Sequence, residues 1–362
     1  MKLGLIARMD NSGLGVQTHE FYKHMQPDKT MVVDISKYNG NKQYPERYPD
    51  GIFIKGFPTP ADIDSFLEGL DVIFVAESPY NFYLYERARE LGVKIAVQYN
   101  YEFFDWFANP HYPKPDLLIA PSKWHYNGVE GWCQDHNIKH TYLHNPVNRE
   151  LLPRKEIKQA RVFLHNAGRS ASFDRNGTET VIDASKYIKT DAQIVIHFQG
   201  EQGLAHQTTS TIADYADRLE KQGDPNKVTL EQIEFKDYAD VYSQGDVLLL
   251  PRRYGGNCLP LNEALSVGMP VIMTDISPNN EFLPTEWLLP AHRINQFTPR
   301  TTIDIYGSHP EHLADRIDQM YELPEDEFRQ HTDTADRIAE TISWGALKPK
   351  YQKVLEDICQ KK

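Results

Sequence analysis

Two glycine-bearing loops, a few arginines and a few acids are the residues whose spacing could do chemistry in this chain of 362 residues. In "YGGNCLPLNEALSVGMPV", residues 254–271, Gly255 and Gly256 lead through Asn257, Cys258 and Leu259 to Pro260. Pro260 suits a first helical turn, where its missing N–H would find no partner anyway. Gly268 and Pro270 mark that helix's end. The loop backbone can then approach a ligand closely, with its N–H groups and the positive end of the helix dipole directed at a phosphate or diphosphate. Glu263, about one turn into the helix, is placed to accept hydrogen bonds from sugar hydroxyls. A glycine turn followed by an ordinary surface glutamate is the plainer alternative.

Other candidates sit at the ends of strands. "MDNSGLGVQTHEF" sets Gly13 and Gly15 between the first strand and first helix, a second phosphate-style loop. It lacks the third glycine and the acid of a dinucleotide fingerprint, and no Gly-x-x-x-x-Gly-Lys-Ser/Thr loop occurs. "VFLHNAGRSASFDRNG" brings Arg169 and Arg175 after a strand, cations suited to neutralising a diphosphate leaving group, although solvated loop arginines would read the same. In "QYNYEFFDWFANPHYP", residues 98–113, Tyr99, Tyr101, Phe103, Phe104, Trp106 and Phe107 divide between core and a stacking platform for a sugar or base. Glu102 and Asp105 fit a core less well, and Glu77 of "VAESPYN" ends another strand near the same presumed cleft. Asp62-Ile-Asp64 reads as a helix start, so no metal is expected there.

These residues need elements to hold them. A chain of this length exceeds one ordinary core, so two domains are expected. Its 40% apolar and 25% charged content is that of a folded globular protein. Strands are expected at Leu3–Ala7, Met31–Ile35, Ile52–Ile54, Val72–Ala76, Ile95–Gln98, Leu117–Ala120 and Thr141–Leu143, with helices at Gly15–Met25, Tyr83–Leu91 and Lys123–Gln134 between them. After the proline-punctuated "HNPVNRELLPRKEIKQARV" the pattern restarts, with strands at Val162–His165, Ile194–Phe198, Val247–Leu250 and Val271–Thr274. Helices are expected near Thr178–Tyr187, Ser210–Lys221 and Pro260–Val267. Such alternation means parallel sheets covered by helices on both faces, with ligands at the carboxyl ends of the strands.

Formal charge is −12, which argues against bulk nucleic-acid binding. The segment Arg149–Arg175 reverses the trend, with Arg149, Arg154, Lys155, Lys158, Arg161, Arg169 and Arg175 against three acids. It is either an anion site or a solvated linker. Cys133, Cys258 and Cys359 have no metal or redox spacing. No apolar run approaches the ~18 residues of a membrane span, so a cytoplasmic protein, monomer or homodimer, is expected.

Taken together, the glycine loop, "LPLNEALSVGMPVI", the "GR" after the second domain's first strand and the amino-terminal glycine loop resemble retaining glycosyltransferases of the GT-B fold, the group of sucrose synthases and bacterial glycan glucosyltransferases. The resemblance implies an α/β chain of two doubly wound Rossmann-like domains with an interdomain cleft. It implies an acceptor domain over 1–153, a nucleotide-sugar domain over 154–340, and a helix over 341–362 that crosses back to the first domain. It further implies transfer of a hexose from a nucleoside diphosphate sugar, UDP-linked for preference, with no obligatory cofactor. Glu263 would hold the ribose, while the family's first acid is replaced by Gly255 and its lysine by Asn176, beside Arg175. The wording is similar to phage-encoded members that decorate hydroxymethylated pyrimidines, making modified DNA one acceptor, with a cell-surface glycan or lipid as the alternative. A sugar-nucleotide epimerase and a non-catalytic sensor of the same fold stay open.

Overall fold

The computed structural model describes residues 1–168, 173–199, 211–233, 235, 238–256 and 258–360. Seven parallel strands form the first sheet: β1 (Leu3–Arg8), β2 (Lys29–Asp34), β3 (Ile52–Lys55), β4 (Val72–Ala76), β5 (Lys94–Gln98), β6 (Leu117–Ala120) and β7 (Lys139–Tyr142). Their order is β3-β2-β1-β4-β5-β6-β7. A second parallel sheet holds β8 (Val162–Gly168), β9 (Gln193–Phe198), β10 (Val228–Glu231), β11 (Val247–Leu250), β12 (Val271–Thr274) and β13 (Leu288–Leu289) in the order β10-β9-β8-β11-β12-β13. Central strands such as Val72–Ala76 and Val247–Leu250 are buried along their whole length. That follows from helices covering both faces of a parallel sheet, which turns alternation into a continuous apolar run.

The direction of winding reverses between β1 and β4 in one sheet and between β8 and β11 in the other. Crevices open at such points because the connections leave to opposite faces. The loops that follow β1, β4, β8 and β11 are those carrying Gly13, Glu77, Arg175 and Gly255.

Three features anchor the lobes to one another. The helix Trp344–Cys359, capped by Ser343, packs on the helix Gly13–Met25 through Trp344, Tyr351 and Phe21, and Gln98 donates to the Tyr351 hydroxyl at 3.2 Å. A hairpin of β14 (His292–Phe297) and β15 (Ile303–Gly307) reaches the first lobe, where Thr301 N–H donates to the Glu102 carbonyl at 3.0 Å. The basic connecting segment is the third. Arg149 pairs with Asp336 and Glu340, Arg154 with Asp333 and Asp336, and Lys155 donates to the Tyr242 and Gly245 carbonyls. Arg161 stacks on Tyr321. Of this segment, read as either an anion site or a solvated linker, Arg149, Arg154, Lys155 and Arg161 are thus internal tethers, while Lys158 stays exposed beside Glu156. No helix among the described residues is long and apolar enough to cross a membrane.

Candidate functional site

Gly255 is the pivot. Its φ of +111° lies where side-chain-bearing residues are strained. A Cβ there would stand 2.4 Å from Arg175 Nη2 and 2.7 Å from Arg252 Nη2, so the missing side chain lets two guanidinium groups close on the loop backbone. Arg252 is 6% exposed; burial, with Arg175 as a like-charged neighbour, lowers its pKa. A buried cation and a half-buried one this close repel one another, and an anion between them would relieve the repulsion and the desolvation of Arg252. Arg175 also spans the lobes, its Nη2 donating to Glu102 Oε1 at 2.7 Å, and its guanidinium lies 5.1 Å from the centre of the Tyr254 ring.

Beyond Gly255 the chain enters the helix Leu259–Ser266. Cys258 occupies the cap position without a side-chain capping bond, leaving first-turn N–H groups to be satisfied by something else. Gly256 is pressed against the first lobe, where a Cβ would lie 3.0 Å from Ser122 Oγ. Leu259 faces Gly13 across the lobe boundary, 3.8 Å from where a Gly13 Cβ would be. The two glycine loops therefore meet.

One turn on, Glu263 accepts a hydrogen bond from the Tyr242 hydroxyl at 2.5 Å. Burial raises its pKa to about 7, with the Tyr242 bond opposing and the Glu20 charge assisting. With Gln17, Glu20, Asn145 and Asn148 it lines a space of about 30 Å³ between the lobes, room for one water. A larger space of about 170 Å³, walled by Gly256, Cys258, Tyr142, His144 and Phe282, adjoins the other side of the glycine loop.

The remaining candidates divide. Gly15 is buried in its helix; its N–H donates to Ser12 Oγ at 3.2 Å, and a Cβ would meet the Asp10 carbonyl at 2.0 Å. It closes a turn and offers no free N–H to a ligand. Asn176 donates to the Ala167 carbonyl at 2.9 Å, turned back on its own strand. Asp105 is exposed, with its N–H on Thr301 Oγ1 at 3.0 Å. Asp62 completes a capping box with Thr59, and Asp64 pairs with Arg87 at 2.7 Å. Tyr99, Phe104 and Phe107 are core, whereas Tyr101, Phe103 and Trp106 are partly exposed. Arg169 and Asn257 lie outside the described residues. Arg252 and Tyr242 are site residues beyond the sequence expectations; the signal for Arg252 is its place inside "PRRYGG", two residues after a strand.

Residues 161–322 match the family described as glycosyl transferases group 1. A search of curated proteins finds no match. Among solved structures, a glycosyltransferase from Rickettsia africae ESF-5 superposes with a TM-score of 0.71 at 13% identity over 100% of both chains. Anabaena Alr3699/HepE in complex with UDP gives 0.68 at 11% identity, over 99% of this chain and 100% of that one. Sucrose-phosphate synthase from Thermosynechococcus elongatus gives 0.65 at 14% identity over 99% of both. At such identities the likeness establishes the fold, which is GT-B. With the family match over the second sheet, the chain is an enzyme of the glycosyltransferase class.

Proposed function

We propose that this enzyme transfers a hexose from a UDP-linked sugar to an acceptor hydroxyl held by the first lobe, with retention at the anomeric carbon. The observation that carries the reading is the convergence of Arg175 and Arg252 on Gly255, directly before the helix that bears Glu263. In this account residues 1–153 bind the acceptor and 154–340 the donor, and 341–362 tie the two together. Glu263 accepts the ribose hydroxyls. Loop N–H groups from Gly256 to Leu259, with Arg169, Arg175 and Arg252, stabilise the diphosphate as it takes the electron pair of the anomeric C–O bond. Supporting UDP, the similar HepE structures are complexes with UDP and with UDP-glucose.

For the acceptor we favour a glycan or glycoside hydroxyl. The hydroxymethylated-pyrimidine reading rests on the similarity to phage-encoded members, with the basic connecting segment and the aromatic segment as support; Arg149, Arg154 and Lys155 of the former are engaged internally, which leaves the similarity and the aromatic segment. Calorimetric titration of UDP into wild type and Glu263→Ala tests the donor reading: loss of the ribose bonds should weaken binding by roughly 1.5–3 kcal/mol. Equal affinities would remove the ribose assignment. Epimerised donor without transfer would replace the transferase with an epimerase.

A further inference from the structure

Glu77 plays no part in the donor account, yet its setting is costly. It follows β4 directly with φ +66°, and Tyr80, three residues on, has φ +60°. Glutamate and tyrosine rarely hold this left-handed conformation, and surrounding structure must impose it. The Glu77 carboxyl receives a hydrogen bond from Asn100 Nδ2, which follows β5. Three charged groups from three other elements face it. Arg8, paired with Asp10 at 2.5 Å, comes from the end of β1; Glu102 comes from the turn after β5; Arg175 comes from the second lobe. Tyr80 joins them from Glu77's own loop.

This cluster is incomplete. Arg8 Nε and Arg175 Nε are both buried without an acceptor among the described residues, and a native site rarely leaves such donors unsatisfied unless something else completes them. A hydroxyl does so with both of its capacities, donating to the carboxylate and accepting from a guanidinium N–H. The cluster lies at the switch point between β1 and β4, beside the arginine assigned to the leaving group.

We infer that Glu77 anchors the acceptor, its carboxylate taking the hydrogen bond of the attacking hydroxyl of a neutral, hydroxyl-rich molecule. This rests on the transferase reading above. Neutrality follows from where the charges sit: Glu77 and Glu102 lie side by side at the pocket, Arg175 is already paired with Glu102, and a bound diphosphate would take up the remaining charge of Arg175 and Arg252. A phosphorylated acceptor would meet repulsion from the two carboxylates and the diphosphate.

The test uses the full chain with saturating UDP-glucose and three acceptors: methyl glucoside, glucose 6-phosphate and an oligonucleotide with hydroxymethylcytosine. Glu77→Gln should lower kcat/KM for methyl glucoside roughly ten- to a hundredfold through loss of a charge-assisted bond, while UDP still raises its melting temperature, showing a folded donor site. Burial holds Glu77 at about 7, with Glu102 assisting and Asn100, Arg8 and Arg175 opposing. Wild-type transfer should therefore rise with pH through that value. Glu77→Asp should keep that limb and Glu77→Gln should lose it, whereas a merely structural role would leave the limb in place. Asn100→Ala, which frees the carboxyl from its orienting amide, should raise KM for methyl glucoside. Transfer by Glu77→Gln and Asn100→Ala within about twofold of wild type, or preference for glucose 6-phosphate or the oligonucleotide, overturns the inference. A UDP shift in the wild type alongside either result leaves the donor reading standing, and its absence removes both.

Discussion

Replacing Glu263 by Gln should stabilise the unliganded enzyme at alkaline pH while disabling it. Burial lifts the Glu263 carboxyl from 4.5 to about 7, a difference of roughly 2.5 pH units, or about 3.4 kcal/mol at ~1.36 kcal/mol per unit. The sign follows from which form burial disfavours. Below about pH 4.5 the group is protonated in both folded and unfolded chains and costs nothing. As pH rises toward 7 the unfolded chain ionises first, and stability is lost until the folded group ionises too. Glutamine removes this loss and keeps an acceptor oxygen for Tyr242. Chemical denaturation of wild type and Glu263→Gln at pH 4.5 and pH 8 should give near-equal stabilities at the lower pH and an advantage for the variant of about 2–3 kcal/mol at the higher. A variant no more stable at pH 8 than at pH 4.5, relative to wild type, would show that the carboxyl is not held at a cost. The account would then lose its reason for calling Glu263 a functional group.

Gly255→Ala should be destabilising by about 1–3 kcal/mol and should also depress turnover, since its Cβ would displace Arg175 and Arg252; thermal unfolding and steady-state kinetics read the two effects separately. Arg175→Ala should lower kcat more than it raises KM for the donor, because leaving-group charge grows in the transition state. Equal effects on both would mean ground-state phosphate binding. Binding of UDP below pH 7 should release protons, as ribose hydroxyls favour the charged form of Glu263, a release that calorimetry in buffers of different ionisation enthalpy measures directly.

The central strands were legible because burial on both faces leaves an unbroken apolar run. Val72–Ala76, Leu117–Ala120, Val247–Leu250 and Val271–Thr274 lie where that signal put them. The hairpin β14–β15 was not, since β14 is exposed at almost every residue and shows neither alternation nor a run. Its importance lies in a backbone bond to Glu102 that no side chain announces. Within the site, the helix with Pro260 and Glu263 could be placed from local rules of helix starts and stops. The pairing of Arg175 with Glu102, 73 positions apart in sequence, and the approach of Arg252 to Gly255 depend on how the lobes meet. Gly15 shows the reverse case, in which a ligand-like glycine spacing serves a turn whose N–H is taken by Ser12.

The most direct test of the central claim is a mass-spectrometric transfer assay with UDP-, GDP-, ADP- and TDP-glucose and neutral glycosides, run on wild type and Glu263→Ala. The account predicts a glycoside heavier by one hexose and free UDP, formed from UDP-glucose by the wild type and sharply reduced in the variant. Turnover that is equal in the two proteins, or absent with every donor, would contradict it.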